Sequence, residues 1–390
     1  MQDREIYLDH AATTPLDPEV ADRISQVQAD FFGNPSSPHT AGRRARQIVD
    51  DAREQILATL GCPTARLIFT SGATEANHLV TLGLQAAQPI RLAVSPRDHE
   101  SLRLAAAAAG DAAGLETLPL TTAGQLDQAA VAAWLEQTFA GPSGPRLLAT
   151  TLVCGQTGSI EDTAGLVGLI ARQAPSCLVH TDATQAVGRV PVDFYNLGVT
   201  SLCFAPHKVG GPRGVGCLIL RPGVEISPLL YGAQQFQQRG GTEPVALIAG
   251  CQLAVAIAVK CQQAEAERLH GLRQQFEQQL LGLARDAGFH PAVIAGGGPR
   301  SPHVSTVALP GIDRQAFVMA ADLEGLAVAT GTACASGSSE PAPALAAMGL
   351  DQATVQSAVR FSFGRTTTAA DIDEALSRIG QMLSRLRPPD

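Results

Sequence analysis

Long apolar runs are missing from this chain of 390 residues. None approaches the roughly 20 residues that a bilayer-spanning helix needs, so no membrane span is expected. The opening stretch MQDREIYLDH carries charge where a secretory leader would place its apolar segment, and no leader is expected either. The eight cysteines show no CxxC pair and no regular spacing, which argues against a disulfide scaffold in a chain this large. Free thiols in a reducing cytoplasm are the expectation, with no metal site. Basic blocks are absent and the net charge is −8, which gives no support for a nucleic-acid partner. Aromatic residues are scarce at 4%; abundant alanine and glycine suit close-packed helices and tight turns. There is no internal repeat and no low-complexity linker.

What is present is an alternation. Short apolar runs such as RLIFT (66–70), RLAVS (91–95), LLATTLV (147–153), CLVHTDA (177–183) and SLCFA (201–205) interleave with helical patterns. That order predicts an α/β fold with a mostly parallel sheet covered by helices. GVGCLILR (214–221) reads as an added, antiparallel strand. The chain is long enough for two domains. The expected division is a large α/β domain over 15–255 and a smaller α+β domain over 256–390, joined by residues 1–14. One long helical stretch, from about Pro244 past residue 280, would pass from the first into the second.

Three strand ends carry chemistry. In FTSGATEANHL (69–79), Gly72, Ala73 and Thr74 open a helix straight after a strand, where bare backbone N–H groups suit a phosphate. The spacing is neither a Walker loop nor GxGxxG, so nucleotide binding is not favoured; a plain helix start is the competing reading. In HTDATQAVG (180–188), Asp182 ends an apolar strand, where a carboxylate needs a partner. A pyridinium nitrogen is one such partner, and a helix cap is the alternative. In SLCFAPHKVGGPRG (201–214), Lys208 follows a strand beside thin backbone, a place for an imine with an aldehyde cofactor or simply for a surface lysine. The three together describe a pyridoxal-phosphate site. Cys334, in ATGTACASGSSEP (329–341), stands apart: a thiol in a stretch too small and polar to build a core.

Read jointly, these segments resemble the cysteine desulfurases of the class V aminotransferase superfamily, pyridoxal-phosphate enzymes of fold type I. YLDHAATTP, FGNPSSPHTAGRRAR, FTSGATEANH, HTDATQAVG, HKVGGPRGVG, RGGTEPV, GTACASGSSEP and VRFSFGRTT follow that family's order nearly end to end. The resemblance implies pyridoxal 5′-phosphate bound by Lys208, with Asp182 at the ring nitrogen and His99 stacked on the ring and serving proton transfer. It implies Gln185 at the phenolic oxygen and Ala73, Thr74 and His207 at the phosphate. Thr242 would reach the phosphate of a neighbouring subunit, which implies a homodimer with shared sites. Asn34 and Arg360 would hold the carboxylate of L-cysteine, a task suited to a guanidinium fork. Cys334 would take the substrate sulfur as a persulfide, leaving L-alanine, and pass it to an acceptor or scaffold protein. The loop resembles the longer-loop class associated with iron–sulfur cluster assembly.

Two departures from the family pattern bear on that expectation. Gly155 stands where relatives place an asparagine near the cofactor, with Gln156 beside it as a possible substitute. Ala205 replaces a serine and Pro206 a glycine, which removes a phosphate hydroxyl and a backbone donor; each lost hydrogen bond to a charged group is worth roughly 1.5–3 kcal/mol. Weaker cofactor retention or a changed substrate preference is the expectation. The competing functions are a cysteine or cystine C–S lyase, a selenocysteine lyase or another class V transferase. A weakly active homologue in sulfur trafficking is the remaining rival.

Overall fold

The computed structural model describes residues 5–87, 90–110, 114–139, 146–331 and 340–385. Its strands are β1 (Ile6–Tyr7), β2 (Arg66–Thr70), β3 (Arg91–Val94), β4 (Leu115–Thr117), β5 (Arg146–Thr151) and β6 (Cys177–Asp182). They continue with β7 (Ser201–Phe204), β8 (Gly216–Leu220), β9 (Ala292–Val293), β10 (Val304–Ala308), β11 (Leu326–Ala327) and β12 (Ala358–Ser362). The seven-stranded sheet runs β2-β8-β7-β6-β5-β3-β4. β4, β3, β5, β6 and β7 pair in parallel, and β8 is antiparallel to both β2 and β7. The fold is therefore α/β with a mostly parallel central sheet, and the 214–221 segment supplies the reversed strand as its sequence suggests.

The apolar continuity of these strands follows from burial on both faces. Leu67, Leu148, Leu202 and Ile219 pack into one apolar cluster, while Ile68, Leu92, Leu147 and Leu218 pack into another. Every strand except β8 presents its C-terminal end to the same edge of the sheet. Thr70, Thr151, Asp182 and Phe204 all end there, where parallel sheets leave a crevice for ligands.

A second, three-stranded antiparallel sheet has the order β12-β10-β9, and β1 pairs in parallel with β11. Phe276, Phe317, Phe361 and Phe363 centre its apolar cluster, with the Phe276 and Phe361 rings 4.8 Å apart. Strand alternation decides what β12 does. Val359 and Phe361 enter this core, and Arg360 between them turns to the opposite side.

The long helical stretch differs from its sequence expectation. It is two helices, Val245–Lys260 and Gln262–Asp286, bent by 68° at Cys261. The first is packed among α/β core residues and the second amphipathic, so each half follows a different buried surface. No single described helix is long and apolar enough to cross a membrane.

Candidate active site

One cavity of about 730 Å³ opens at the C-terminal strand edge. Its lining includes Ala73, Thr74, His99, Asp182, Gln185, His207, Lys208 and Arg360, so eight residues singled out in the sequence meet there. Gly331 and Glu340 also line it, and these are the described residues on either side of 332–339. Cys334 lies outside the described residues. Asn34 and Thr242 are exposed and do not line this cavity. Asn34 Oδ1 instead accepts from the Ser36 N–H at 2.9 Å.

The 73–87 helix starts at the mouth of β2, and its first turn leaves backbone N–H groups without intrahelical acceptors. Glu75 reaches back to the Ser71 N–H at 2.7 Å and pairs with Arg239 at 2.9 Å. Burial pushes the Glu75 carboxyl up, but its hydrogen bonds from Arg239 and Ser71 outweigh this and hold it below its ordinary range. Gly216 lets β8 lie directly under this turn, since a Cβ there would stand 2.5 Å from the Gly72 carbonyl carbon. Above Gly72 the space is open to beyond 4 Å. A small anion thus finds donors and room together.

His207 and Lys208 belong to a short 3-10 turn, Pro206–Lys208. Pro206 occupies its first position, where the N–H has no partner within the turn and a fixed φ favours it. The proline therefore shapes the turn that presents Lys208, a gain the sequence reading did not include beside the lost donor. Lys208 Nζ donates to the Ala11 and Ala12 carbonyls at 2.8 and 2.7 Å. His207 Nδ1 lies 3.1 Å from Thr13 Oγ1. Burial, with the charges of Lys208 and Arg213, pushes its pKa down to about 4. The ring is neutral near pH 7.

Asp182 Oδ1 accepts from the Thr184 N–H and Oδ2 from Asn77 Nδ2, both at 2.9 Å. Asn77 also donates to Ser101 Oγ at 3.1 Å, and its Oδ1 accepts from His180 Nε2 at 3.0 Å. Ser101 in turn meets His99, whose Nδ1 takes the Ser101 N–H at 3.1 Å and the hydroxyl at 2.8 Å. The neutral His99 ring therefore carries its proton on Nε2. Arg97 and Glu161 form a buried ion pair that ties the turn bearing His99 to the segment after β5. Asn77, Ser101, His180 and the Arg97–Glu161 pair were not singled out from sequence. An asparagine on an otherwise apolar helix face was the available signal for the first.

Arg360 Nη1 donates to the Gly155 carbonyl at 2.9 Å and Nη2 to Asp9 Oδ1 at 2.7 Å. Gln156 lines the cavity, but its side-chain oxygen accepts from the Ala344 N–H at 3.1 Å. The room left by Gly155 is partly taken by Gln185: a Cβ at 155 would stand 3.3 Å from Gln185 Nε2.

Polar atoms without hydrogen-bond partners gather here as well. Thr151 Oγ1, Thr184 Oγ1 and Arg360 Nε are buried and unpartnered, and all three residues line the cavity. Buried polar groups in this state call for a ligand or ordered water. An anion cradle, a carboxylate on the floor and a lysine amine fit pyridoxal 5′-phosphate. The chain has only two lysines, Lys208 and Lys260, and among the described residues only Lys208 reaches this cavity.

The sequence profile of the aminotransferase class-V family matches residues 6–375. The chain is 33% identical over 393 residues to the cysteine desulfurase IscS of Dictyoglomus turgidum, covering 98% of this chain and 96% of that protein. It is 33% identical over 392 residues to the IscS-like cysteine desulfurase of Mycobacterium tuberculosis, covering 98% and 97%. The crystal structure of a NifS-like protein from Rickettsia africae superposes with a TM-score of 0.87 at 26% identity, covering 97% of this chain and 99% of that one.

Proposed function

The chain belongs to the class-V aminotransferase family, among its cysteine desulfurases, and on that premise we propose that it removes sulfur from L-cysteine using pyridoxal 5′-phosphate. The products are L-alanine and a persulfide on Cys334. The observation that carries this reading is the single cavity shared by Lys208, Asp182, His99 and Arg360, with Gly331 and Glu340, the described residues flanking 332–339, at its lining. Cys334 is three residues from Gly331, a reach of at most about 11 Å.

When bound, the cofactor supplies an aldehyde for Lys208 and an electron-withdrawing ring for the bond being broken. Asp182 would hold the ring nitrogen in its protonated form, and Asn77 and the Thr184 N–H hold Asp182. Ala73 and Thr74, with neutral His207, would take the phosphate, and Gln185 would donate to the phenolic oxygen. Lys208 Nζ gives and receives protons at the substrate's α-carbon, with the Ala11 and Ala12 carbonyls stabilising its protonated form. Arg360 orients the substrate carboxylate; Asp9 and the Gly155 carbonyl fix its guanidinium in advance. His99, at the cavity lining, would lie against the cofactor and offer the proton on Nε2.

Sulfur leaves through Cys334. Its thiolate attacks the substrate sulfur, an S–S bond forms, and the C–S bond breaks with its electrons passing to the carbon skeleton. A proton added at that carbon completes alanine. The persulfide sulfur then passes to an acceptor protein, iron–sulfur cluster assembly being the process the loop's resemblance favours. The seven described cysteines are free thiols, which suits a reducing cytoplasm.

A homodimer completes the site. Leu230 and Phe236 are half exposed and Tyr231 largely exposed in the segment leading to Thr242, and Phe32 is 81% exposed in the neighbouring loop. Gln234 and Ser36 join these two segments through a 3.3 Å hydrogen bond. An apolar face of this kind suits a second copy, and it would carry Thr242 to the neighbouring phosphate.

The deciding experiment supplies L-cysteine to the wild type and to Cys334→Ala, measuring alanine, pyruvate and the absorbance of bound cofactor. Alanine should form in the wild type and fall at least a hundredfold in the variant while cofactor absorbance persists. Pyruvate formation that survives the substitution would show a C–S lyase instead.

A further inference from the structure

Behind Gln185 lies a buried histidine that the scheme above leaves without a task. His303, immediately before β10, is fully shielded from solvent. Its Nε2 is 3.1 Å from Gln185 Oε1 and its Nδ1 2.5 Å from Ser301 Oγ. The polarity of this row is fixed from its far end. The Ala11 carbonyl only accepts, and Gln185 Nε2 donates to it at 2.8 Å. The Gln185 oxygen must then face His303. That oxygen also only accepts, so His303 carries its proton on Nε2. Nδ1 is left to accept from the Ser301 hydroxyl. One ring proton is what a neutral imidazole has. Burial, aided by the charges of Arg189, His10 and Arg360, holds His303 well below the usual histidine range.

From these contacts we propose that His303 is a positioning residue for the reaction. It locks the Gln185 carboxamide so that the second amide hydrogen serves the phenolic oxygen of the cofactor. Without this lock the carboxamide could turn over and present its oxygen to another oxygen. The missing side chain at 155 belongs to the same arrangement, because Gln185 lies against that space. The inference rests on the cofactor placement proposed above and adds a residue to it.

The test is a pH titration of the visible absorption of the cofactor-loaded enzyme. A donor to the phenolic oxygen stabilises its negative charge, so losing the donor makes the proton shared with that oxygen harder to remove. Gln185→Leu should raise the midpoint by about one unit, a tenfold change on the scale of one hydrogen bond to a charged group. His303→Leu should raise it by at least half as much. His303→Gln, whose amide nitrogen takes the place of Nε2 and can still donate to Gln185 Oε1, should return it toward the wild type. The double variant should titrate like Gln185→Leu alone. Ser301→Ala disturbs packing little and should move the midpoint upward by a smaller amount, which keeps the test available should His303→Leu fold poorly.

The proposal is overturned if His303→Leu, or Ser301→Ala in its place, titrates as the wild type, or if the His303→Leu shift adds in full to that of Gln185→Leu. An unmoved midpoint in Gln185→Leu would remove the Gln185 contact itself and this inference with it. A wild type that binds no cofactor would instead sink the functional reading as a whole.

Discussion

Asn77 donates an amide hydrogen to Asp182 Oδ2 across 2.9 Å, at a depth where Asn77 is wholly shielded and Asp182 almost so. The same carboxamide holds Ser101 and His180. It thereby connects Asp182 to His99 by way of Ser101. Asn77→Ala leaves several buried groups short of a partner, each costing about 1–3 kcal/mol. With partial relaxation, stability should fall by roughly 3 kcal/mol, read by urea unfolding, and cofactor affinity should fall with it. A loss well under about 1 kcal/mol would mean that the network is readily replaced by water.

Acid should loosen the same region through His180. Burial pushes its pKa down to about 4 from 6.5, with Asp182 and Ser201 pulling the other way. Between those values the unfolded chain binds the proton and the folded one does not. Stability is therefore complete above pH 6.5 and declines as pH falls toward 4. The span is worth up to about 3 kcal/mol. His180→Gln keeps a donor for Asn77 and removes the titration, so its stability should decline less over that interval. Parallel profiles for the two proteins from pH 4.5 to 7.5 would refute the linkage.

Arg97 and Glu161 are 0% and 1% exposed in their side chains. Glu161 also accepts the Leu126 N–H at 2.9 Å, and Arg97 donates to the Ser159 carbonyl at the same distance. Glu161→Gln or Arg97→Met leaves one charge buried alone and should cost about 3–5 kcal/mol. The double variant Arg97→Met/Glu161→Leu should be more stable than the less stable single variant. Unfolding midpoints that merely add would show that the ion pair is not what the two positions share.

With so few lysines, covalent cofactor capture can be mapped cleanly. Borohydride reduction of the loaded enzyme should fix the cofactor on the peptide containing Lys208. The one containing Lys260, exposed at the end of its helix, should stay unlabelled. Lys208→Ala should abolish the label and lower turnover by several orders of magnitude. A label on Lys260 in the wild type would contradict the site.

Much of this was legible in the sequence, for identifiable reasons. Buried parallel strands must be apolar throughout, so their positions stand out. Strand ends in such sheets fall on one edge, so Thr70, Asp182 and Lys208 are placed near one another by topology alone. The 68° bend at Cys261 was less visible, because a continuous helical pattern gives no sign of which surface each half will cover. Pro206 was read as a lost donor because its place at the head of a 3-10 turn depends on the coordinates of the turn.

By itself the sequence determined the α/β order, the site edge and the chemical types brought to it, since these depend on local periodicity and on residue identity. The tertiary structure decided which polar groups face one another. Asn77 meets Asp182, and His303 meets Gln185, across separations of 105 and 118 residues. Nothing local to either residue marks such a pair. Hydrogen-bond polarity is set by direction and distance between atoms, and these exist only once the chain is packed.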